Sequence, residues 1–322
     1  MIRFPLTLLL IFCLLLIFSL KSDFAAAAPF NLIIIKSRDI TPYNEAVAGF
    51  MEALNQNGYK EGKDLHCVYY SMDTQKDIDI ISEIKAKTPD LLLTLGSEAA
   101  KFISAEIKDI PGVFSMVLFP VENKIVKNME SPGNNFSGAS MNIPVEIQFR
   151  MIKKVIPGAK NIGVMYDPDK SSRLIEEAKK AALQTNIELV ALEVHSAKDV
   201  PGQFRNLIRQ IDVLWTIADN TVLSRESMKF ILSQTLEKKI PCFGISKPMV
   251  VAGALLALDC DFHDIGRQSG EIACKILEGA KPGKLPVSVS RNQRLILNLK
   301  TAKWLGLQIA EDILKNASEV IK

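Results

Sequence analysis

Residue types that often carry enzyme chemistry are scattered in this sequence. Its three histidines, His66, His195 and His263, lack the i, i+4 spacing that places two metal ligands on one helix face. It contains no G-x-S-x-G nucleophile motif, no phosphate loop ending in G-K-S/T and no G-x-G-x-x-G dinucleotide motif. Acidic residues are abundant, but no pair is singled out for general acid–base catalysis. We therefore expect a protein that is not an enzyme and that needs no cofactor or metal.

The cysteines do not indicate a metal or redox site either. Cys67, Cys242, Cys260 and Cys274 lie beyond the N-terminal segment, and no two of them have C-x-x-C spacing. An oxidising compartment would permit disulfides, and the sequence leaves their state open. Buried thiols that pack as small apolar side chains are the favoured interpretation.

Polar and aromatic side chains do collect where predicted strands end. In an open parallel sheet, ligands bind beyond the carboxyl ends of the strands. Two sheets whose strand ends face each other would enclose a small polar molecule. The residues at these ends are Ser37, Arg38, Ser97, Leu118, Phe119, Tyr166, Asp167, Asp219, Asn220, Ser246, Asp259 and Asp261.

Several of these residues also have a structural interpretation. Ser97 and the pair Asp219 and Asn220 precede predicted helices, where such side chains cap the first turn. The helix N-terminus at Ser97 could equally bind a carboxylate or phosphate of a ligand. Tyr43, just before the first helix, would either stack on a ligand or cover the edge of the lobe.

The elements that must position these residues alternate along the chain. Short apolar runs, typical of buried strands, are followed by segments with the apolar spacing of amphipathic helices. Strands separated by helices predict parallel sheets with helices on both faces. Strands are predicted at residues 31–35, 65–70, 90–95, 113–117, 161–166, 187–194, 212–217, 241–245, 252–258 and 295–299, and helices at 75–87, 98–107, 171–184, 200–210, 221–238 and 265–279.

A division of the chain is expected near Asn142. Residues 131–140 are rich in Gly, Ser and Asn, which predicts a loop. Two doubly wound lobes of about 120 residues each would follow, within the usual range of domain sizes. The tail, residues 291–322, adds a strand and one or two helices, and its pattern leaves open which lobe it joins.

The N-terminal segment predicts export. Arg3 is followed by an almost wholly apolar stretch at residues 4–20 and by four alanines at 25–28, the order of a secretory signal peptide. We expect residues 1–27 to be removed by cleavage after Ala27, with an uncleaved membrane anchor as the alternative. The 322-residue chain has a formal net charge of +3 and no long basic block, so no nucleic-acid partner is expected.

Six segments carry an ordered series of motifs. They are T-P-D-L-L-L-T-L-G-S-E-A-A at 88–100, residues 110–143 with S-P-G-N-N-F-S-G-A-S, I-G-V-M-Y-D-P at 162–168, residues 212–222 with A-D-N-T-V, I-P-C-F-G at 240–244, and residues 252–279. This series resembles the substrate-binding proteins of one ABC-transporter family, often linked to aromatic amino acid uptake. The resemblance covers nearly all of the chain beyond the signal.

The resemblance implies a type I periplasmic binding fold. Such a fold has two doubly wound parallel-sheet lobes, a hinge that the chain crosses several times, and closure of the lobes on the ligand. The first lobe is then expected to comprise residues 28–142 and about 259–290, and the second lobe residues 143–258.

The resemblance also implies ligand contacts. An amino acid would place its carboxylate at Ser97 and its ammonium at Asp219. The chain departs from many relatives after the fourth strand, where Leu118 and Phe119 replace a small polar residue and an Asp, so this wall should be more apolar. The full predicted binding set is Tyr43, Ser97, Ser115, Phe119, Tyr166, Asp219, Asn220, Ser246, Asp259 and Asp261.

The leading functional hypothesis is an exported receptor. It would bind a small molecule, expected to be an amino acid with an aromatic or branched side chain, and deliver it as a monomer to an ABC permease in the inner membrane. One alternative is a sensor that presents a ligand to a membrane receptor. Another is an exported enzyme on the same fold, which the absence of a recognisable catalytic set disfavours.

Overall fold

The computed structural model describes residues 28–75 and 78–322, and the predicted signal peptide lies outside them. Within these residues, no helix is long and apolar enough to cross a bilayer. The strands are β1 (Phe30–Lys36), β2 (Leu65–Ser71), β3 (Leu91–Leu95), β4 (Gly112–Val117), β5 (Phe136–Ser140), β6 (Asn161–Tyr166), β7 (Glu188–Glu193), β8 (Val213–Trp215), β9 (Cys242–Gly244), β10 (Leu256–Cys260), β11 (Gln293–Asn298) and β12 (Glu319–Ile321). The helices are α1 (Thr41–Gln56), α2 (Ile80–Lys87), α3 (Ser97–Glu106), α4 (Val145–Val155), α5 (Pro168–Thr185), α6 (Val200–Leu207), α7 (Arg225–Glu237), α8 (Lys247–Val251), α9 (Phe262–Leu277), α10 (Leu299–Leu305) and α11 (Glu311–Asn316).

The strands form two sheets. The first sheet has the order β2-β1-β3-β4-β5 and is parallel throughout. The second has the order β12-β11-β10-β9-β8-β6-β7 and is parallel except where β10 and β11 pair in antiparallel register. The predicted α/β class with two parallel-sheet lobes is confirmed. We call the parts built on these sheets the first lobe and the second lobe.

Buried apolar strands hold each lobe together. On β1, Leu32 and Ile34 pack with residues of α1 and α9, whereas Ile33 and Ile35 pack with residues of α2 and α3. All four side chains are at most 1% exposed. Alternate residues of a strand point to opposite faces, so this continuous apolar run belongs to a sheet covered on both sides.

The loop predicted at residues 131–140 is wrong in its second half. Residues 136–140 form β5, a buried strand at the end of the first sheet. Small residues fit there because β5 lies tightly against β4, and a Cβ on Gly138 would lie 2.1 Å from the carbonyl oxygen of Phe114. A glycine in this strand therefore marks a close approach of two backbones rather than a turn.

The helix predicted from Thr221 begins later, at Arg225. Ser224 is its N-cap and accepts a hydrogen bond from the backbone N–H of Ser227 at 3.1 Å. Asp219 and Asn220 therefore lie in a separate turn and do not cap this helix.

Three segments of chain pass side by side between the lobes and form the hinge. The backbone N–H of Ser290 donates to the carbonyl oxygen of Asn142, and that of Asp261 donates to the carbonyl oxygen of Asn292, each at 3.3 Å. The tail beyond the third segment joins the second lobe, since β11 pairs with β10 and β12 pairs with β11. The three hinge segments are residues 141–144, 260–261 and 289–292.

The chain returns to the first lobe after the second crossing. There α9 packs against α1 with the two backbones in contact. A Cβ on Gly266 would lie 1.9 Å from the carbonyl oxygen of Ala46, and a Cβ on Gly49 would lie 1.9 Å from that of His263. Because no side chain fits at either position, two glycines allow this segment to dock on the first lobe.

An ion-pair cluster fixes the third crossing to the first lobe. Arg291 Nη2 lies 3.0 Å from Asp264 Oδ1 and 2.9 Å from Glu271 Oε1, and both acidic residues are on α9. Burial alone would raise the pKa of Asp264. Hydrogen bonds from Arg291 and Arg267 together outweigh burial and hold the pKa below its ordinary value.

The cysteines of the described residues are all free thiols. Cys242, Cys260 and Cys274 are buried, and Cys67 is partly exposed. Burial raises the pKa of Cys260 to about 11, so this side chain at the hinge is a neutral thiol at physiological pH.

We expect Asp264→Asn to destabilise the protein by about 1–3 kcal/mol near pH 7, because a hydrogen bond between charged groups is lost. The folded-state pKa of Asp264 lies below its unfolded value of about 3.9. Its stabilisation is therefore present above the unfolded pKa and fades as the pH falls through the folded pKa. Urea unfolding from about pH 7 down to about pH 2 should show the difference between wild type and variant shrinking.

Glu311→Gln provides the control for this experiment. It removes an exposed ion pair with Lys315, which should change the stability little at any pH. A stability difference for Asp264→Asn that stays constant across the pH range would contradict the ion-pair interpretation.

Candidate ligand-binding site

A cavity of about 660 Å³ lies between the two lobes. Its lining comes from the carboxyl ends of strands in both sheets and from the hinge, as expected for open parallel sheets. Small-molecule sites commonly have this volume. The lining includes residues from 118–122, 129–130 and 286–287 of the first lobe, 215–218, 243–246 and 258–259 of the second, parts of α4 and α5, and hinge residues 141–144, 260 and 289.

Among the described residues, three aromatic residues border the cavity. Phe119 comes from the first lobe, and Trp215 and Phe243 come from the second. The indole N–H of Trp215 donates to Gln148 Oε1 at 2.8 Å, and the ring of Phe149 meets the indole edge-to-face at 5.1 Å between centroids. Trp215 and Phe243 are only 1% and 2% exposed, so both are core residues of the second lobe that border the cavity.

Phe119 has a left-handed backbone, with φ of 51°. This conformation costs a bulky residue on the order of 1–3 kcal/mol, and such strain is found mainly at functional sites. The side-chain oxygen of Asn142, in the hinge, accepts a hydrogen bond from the Phe119 N–H at 3.1 Å. Next to it, the hydroxyl of Ser97 accepts one from the Leu118 N–H at 3.2 Å. These contacts hold the Phe119 backbone at the cavity.

Two further predicted residues, Ser246 and Asp259, line the cavity from the second lobe. The carboxylate of Asp259 accepts a hydrogen bond from the backbone N–H of Cys260 at 2.8 Å. Burial raises the pKa of Asp259, and this hydrogen bond and the nearby Arg294 oppose the effect. Asp259 therefore presents a partly desolvated carboxylate to the cavity.

An ion pair spans the two lobes at the cavity. Nε of Arg173, on α5, lies 3.5 Å from Glu122 Oε1 of the first lobe and 3.5 Å from Glu177 Oε1 on its own helix. Among the described residues that line the cavity, Arg173 is the one cationic side chain, whereas Glu122, Glu130, Glu177 and Asp259 are acidic. The cavity therefore has a net acidic lining with a single cation.

Three predicted first-lobe residues do not line the cavity. The hydroxyl of Tyr43 lies over Gly96, where an added Cβ would be 2.2 Å from the phenol oxygen. Ser97 bonds to the backbone of the neighbouring loop. Ser115 is fully buried in β4, and its hydroxyl has no partner among the described residues. Tyr43 and Ser97 lie at the edge of the lobe and Ser115 lies inside it, and contact of these residues with a ligand stays a prediction.

Asp219 is surrounded by its own lobe. It is 2% exposed. Its carboxylate accepts hydrogen bonds from the Asp167 N–H at 2.8 Å, the Ser171 hydroxyl at 2.7 Å and the Thr221 N–H at 2.9 Å. The carboxylate thus ties together the end of β6, the first turn of α5 and the turn after β8. This geometry favours a structural role over binding of an ammonium group.

The remaining predicted residues also lie outside the cavity lining. Tyr166 donates its hydroxyl hydrogen to Glu193 Oε1 at 3.1 Å, and Asp261 caps α9 by accepting a hydrogen bond from the Asp264 N–H at 3.0 Å. Asn220 is exposed in the turn after β8. Ligand contacts of these residues stay predictions.

Sequence reasoning missed several residues of the cavity wall. Glu122, Asn142, Gln148 and Arg173 lie in a loop, the hinge and helices, where the strand-end rule does not apply. Trp215, which its position inside a predicted strand marks as a core residue, is 1% exposed and also borders the cavity. The predicted strand runs to residue 217, whereas β8 ends at Trp215. The predicted end of the strand therefore lies beyond the observed end.

We expect Asp219→Asn to lower the free energy of unfolding by about 1–3 kcal/mol, because an amide has one acceptor oxygen where the carboxylate has two. Asp199→Asn is the matched control and should lower the free energy of unfolding less, since Asp199 is exposed and its carboxylate accepts hydrogen bonds from Ser196 alone among the described residues. Urea unfolding measures both. Unchanged stability of Asp219→Asn with a loss of ligand affinity of about tenfold or more would instead support ammonium binding at Asp219.

Comparison with known proteins agrees with this architecture. A family model described as ABC transporter substrate binding protein matches residues 38–321. A tyrosine-binding protein from Clostridioides difficile (strain R20291) is 30% identical over 271 residues, which are 82% of this chain and 77% of that protein.

Solved structures show the same fold. A ligand-free, open substrate binding protein with adhesive properties from Clostridium difficile is 28% identical with a TM-score of 0.74, covering 91% of this chain and 99% of that one. An ABC domain in complex with L-Trp from Streptococcus pneumoniae is 25% identical with a TM-score of 0.64, covering 91% of this chain and 100% of that one. The expected type I periplasmic binding fold is confirmed, and the chain belongs to the ABC transporter substrate-binding protein family.

Proposed function

We propose that this protein is the exported receptor of an ABC importer, and that it binds an aromatic amino acid and delivers it to a membrane permease. The observation that carries the proposal is the cavity between the lobes, which is lined by the partly exposed Phe119 from one lobe and bordered by the nearly buried Trp215 and Phe243 from the other. The family and the fold of this protein are those of binding proteins rather than enzymes.

The construction of the hinge supports closure on a ligand. The lobes are joined by three short segments, so they can rotate as rigid bodies while both sheets stay intact. A ligand that contacts both lobes binds the closed form more tightly than the open form and shifts the population toward it. A permease can then distinguish the loaded receptor from the empty one by its shape.

The aromatic walls support the ligand class. An aromatic ring that packs against another gains about 0.5–1.5 kcal/mol per pair beyond the area that it buries. Leu118 and Phe119 add apolar surface on the first-lobe side. One relative is named for tyrosine and another was solved with L-Trp, which supports the same class of ligand here.

The N-terminal sequence supports export. Residues 1–27 have the basic start, apolar stretch and small-residue site of a signal peptide. Cleavage after Ala27 would release a monomeric receptor into the periplasm, and an uncleaved segment would tether the same receptor to the membrane.

A thermal-shift screen of the mature chain, residues 28–322, tests the ligand class against amino acids, nucleosides, sugars and small carboxylates. A ligand at 100 times its Kd stabilises the folded protein by about 2.7 kcal/mol, which raises Tm by several degrees. We expect the largest shift with tyrosine, tryptophan or phenylalanine. The largest shift with a sugar or nucleoside would contradict the ligand class alone. The absence of any shift would contradict the receptor proposal.

Phe119→Ala should weaken binding of the aromatic amino acid by about tenfold, because one ring contact and its buried area are lost. Isothermal titration calorimetry measures the change in Kd. Phe102→Ala is the matched control, since Phe102 is a 42% exposed aromatic residue of the same lobe that does not line the cavity. An unchanged Kd for Phe119→Ala would show that the Phe119 ring does not contribute to ligand binding.

A further inference from the structure

The ion pair between Arg173 and Glu122 is distinct from the other ion pairs of the protein. It connects α5 of the second lobe to the loop after β4 of the first lobe. Every other ion pair within residues 28–75 and 78–322 lies inside one lobe or at the hinge. Both partners also line the cavity.

This pair is loosely made. At 3.5 Å, the contacts of Arg173 with Glu122 and Glu177 are longer than an ordinary N–H···O hydrogen bond of about 2.7–3.2 Å. Arg291 in the hinge approaches Asp264 to 3.0 Å by comparison. A guanidinium carries five N–H donors, Nε of Arg173 lies 3.5 Å from both glutamates, and the Arg173 side chain is 48% exposed. The rest of the guanidinium can therefore bind another anion.

The headgroup of an α-amino acid fits such a pair. It carries a carboxylate and an ammonium on one carbon atom, so it presents opposite charges a short distance apart. A carboxylate matches the planar fork of an arginine, and an ammonium matches a glutamate carboxylate. The headgroup can replace one loose contact by two charge-assisted hydrogen bonds. Phe119 lines the same cavity and can contact the side chain of the amino acid.

We propose that the headgroup of the amino acid binds between Arg173 and Glu122, with its carboxylate on Arg173 and its ammonium on Glu122. This inference rests on the proposed function and specifies its ligand-recognition residues. Each lobe then holds one charge of the ligand, so a zwitterion links the lobes. A ligand that lacks either charge leaves one side chain without its new partner and favours closure less.

Asp259 is the competing position for the ammonium. It lines the same cavity, and its carboxylate is partly desolvated. With the ammonium there, both charges of the ligand would contact the second lobe, and Glu122 would not affect selectivity. Glu122 is favoured because its carboxylate already lies 3.5 Å from the guanidinium, a separation that suits two groups on one carbon atom.

The test measures three ligands against six proteins by isothermal titration calorimetry. The first ligand is L-tyrosine or L-tryptophan, whichever the wild type binds more tightly. The other two ligands are the carboxamide of that amino acid and the deaminated acid derived from it. The proteins are the wild type, Arg173→Gln, Glu122→Gln, Asp259→Asn, and the matched controls Arg150→Gln and Glu146→Gln. Arg150 and Glu146 form an exposed ion pair on α4 and do not line the cavity.

Wild type and both controls should bind the free amino acid at least about tenfold more tightly than either analogue. Arg173→Gln should lose the preference over the carboxamide, because the group that recognises the ligand carboxylate is gone. Glu122→Gln should lose the preference over the deaminated acid. Asp259→Asn should keep both preferences. Each variant is judged by the ratio of its Kd values for two ligands. A substitution that weakens binding of all three ligands equally leaves this ratio unchanged.

Preferences equal to those of the wild type in both Arg173→Gln and Glu122→Gln would overturn the proposal. Loss of the preference over the deaminated acid in Asp259→Asn, with Glu122→Gln unchanged, would place the ammonium at Asp259 and overturn the assignment to Glu122. If the wild type bound neither amino acid, the aromatic ligand class would be refuted, and the headgroup site with it.

Discussion

The geometry of this protein depends on three chain segments that lie side by side between its lobes. Backbone hydrogen bonds from Ser290 to Asn142 and from Asp261 to Asn292 join neighbouring segments. Because the chain passes through this narrow region three times, the two sheets can rotate relative to each other but cannot separate. The hinge therefore keeps the carboxyl ends of the two sheets opposite each other, and the cavity, its aromatic walls and the ion pair between the lobes all follow from that arrangement.

Asn142 connects the hinge directly to the cavity wall. Its carbonyl oxygen accepts a hydrogen bond from Ser290 in the third crossing, and its side chain accepts one from the strained backbone of Phe119. Its own N–H donates to the hydroxyl of Ser140 at 3.1 Å. Asn142 therefore couples the position of the hinge to the position of the cavity wall at Phe119.

The acidic residues near the cleft have two different roles, and their hydrogen bonds distinguish them. Asp219 already accepts three short hydrogen bonds from its own lobe, so its carboxylate has little remaining capacity for a cation. Asp259 accepts one backbone hydrogen bond, and burial raises its pKa. Within residues 28–75 and 78–322, the one ion pair of Glu122 is with Arg173, at 3.5 Å. A carboxylate with unfilled hydrogen-bonding positions at a cavity is available to a ligand, whereas a fully bonded one stabilises the fold.

The sequence by itself determined the two-lobed α/β class, because strands such as β1 and amphipathic helices are specified by local apolar spacing. It also predicted Phe119, Ser246 and Asp259, which line the cavity, since the strand-end rule depends only on where strands stop. It did not determine the partners of polar side chains. Asp219 meets the N–H of a residue 52 positions away, which local pattern cannot show. Only the tertiary structure placed Arg173 beside a glutamate of the other lobe, because that contact depends on how the hinge orients two separately folded sheets.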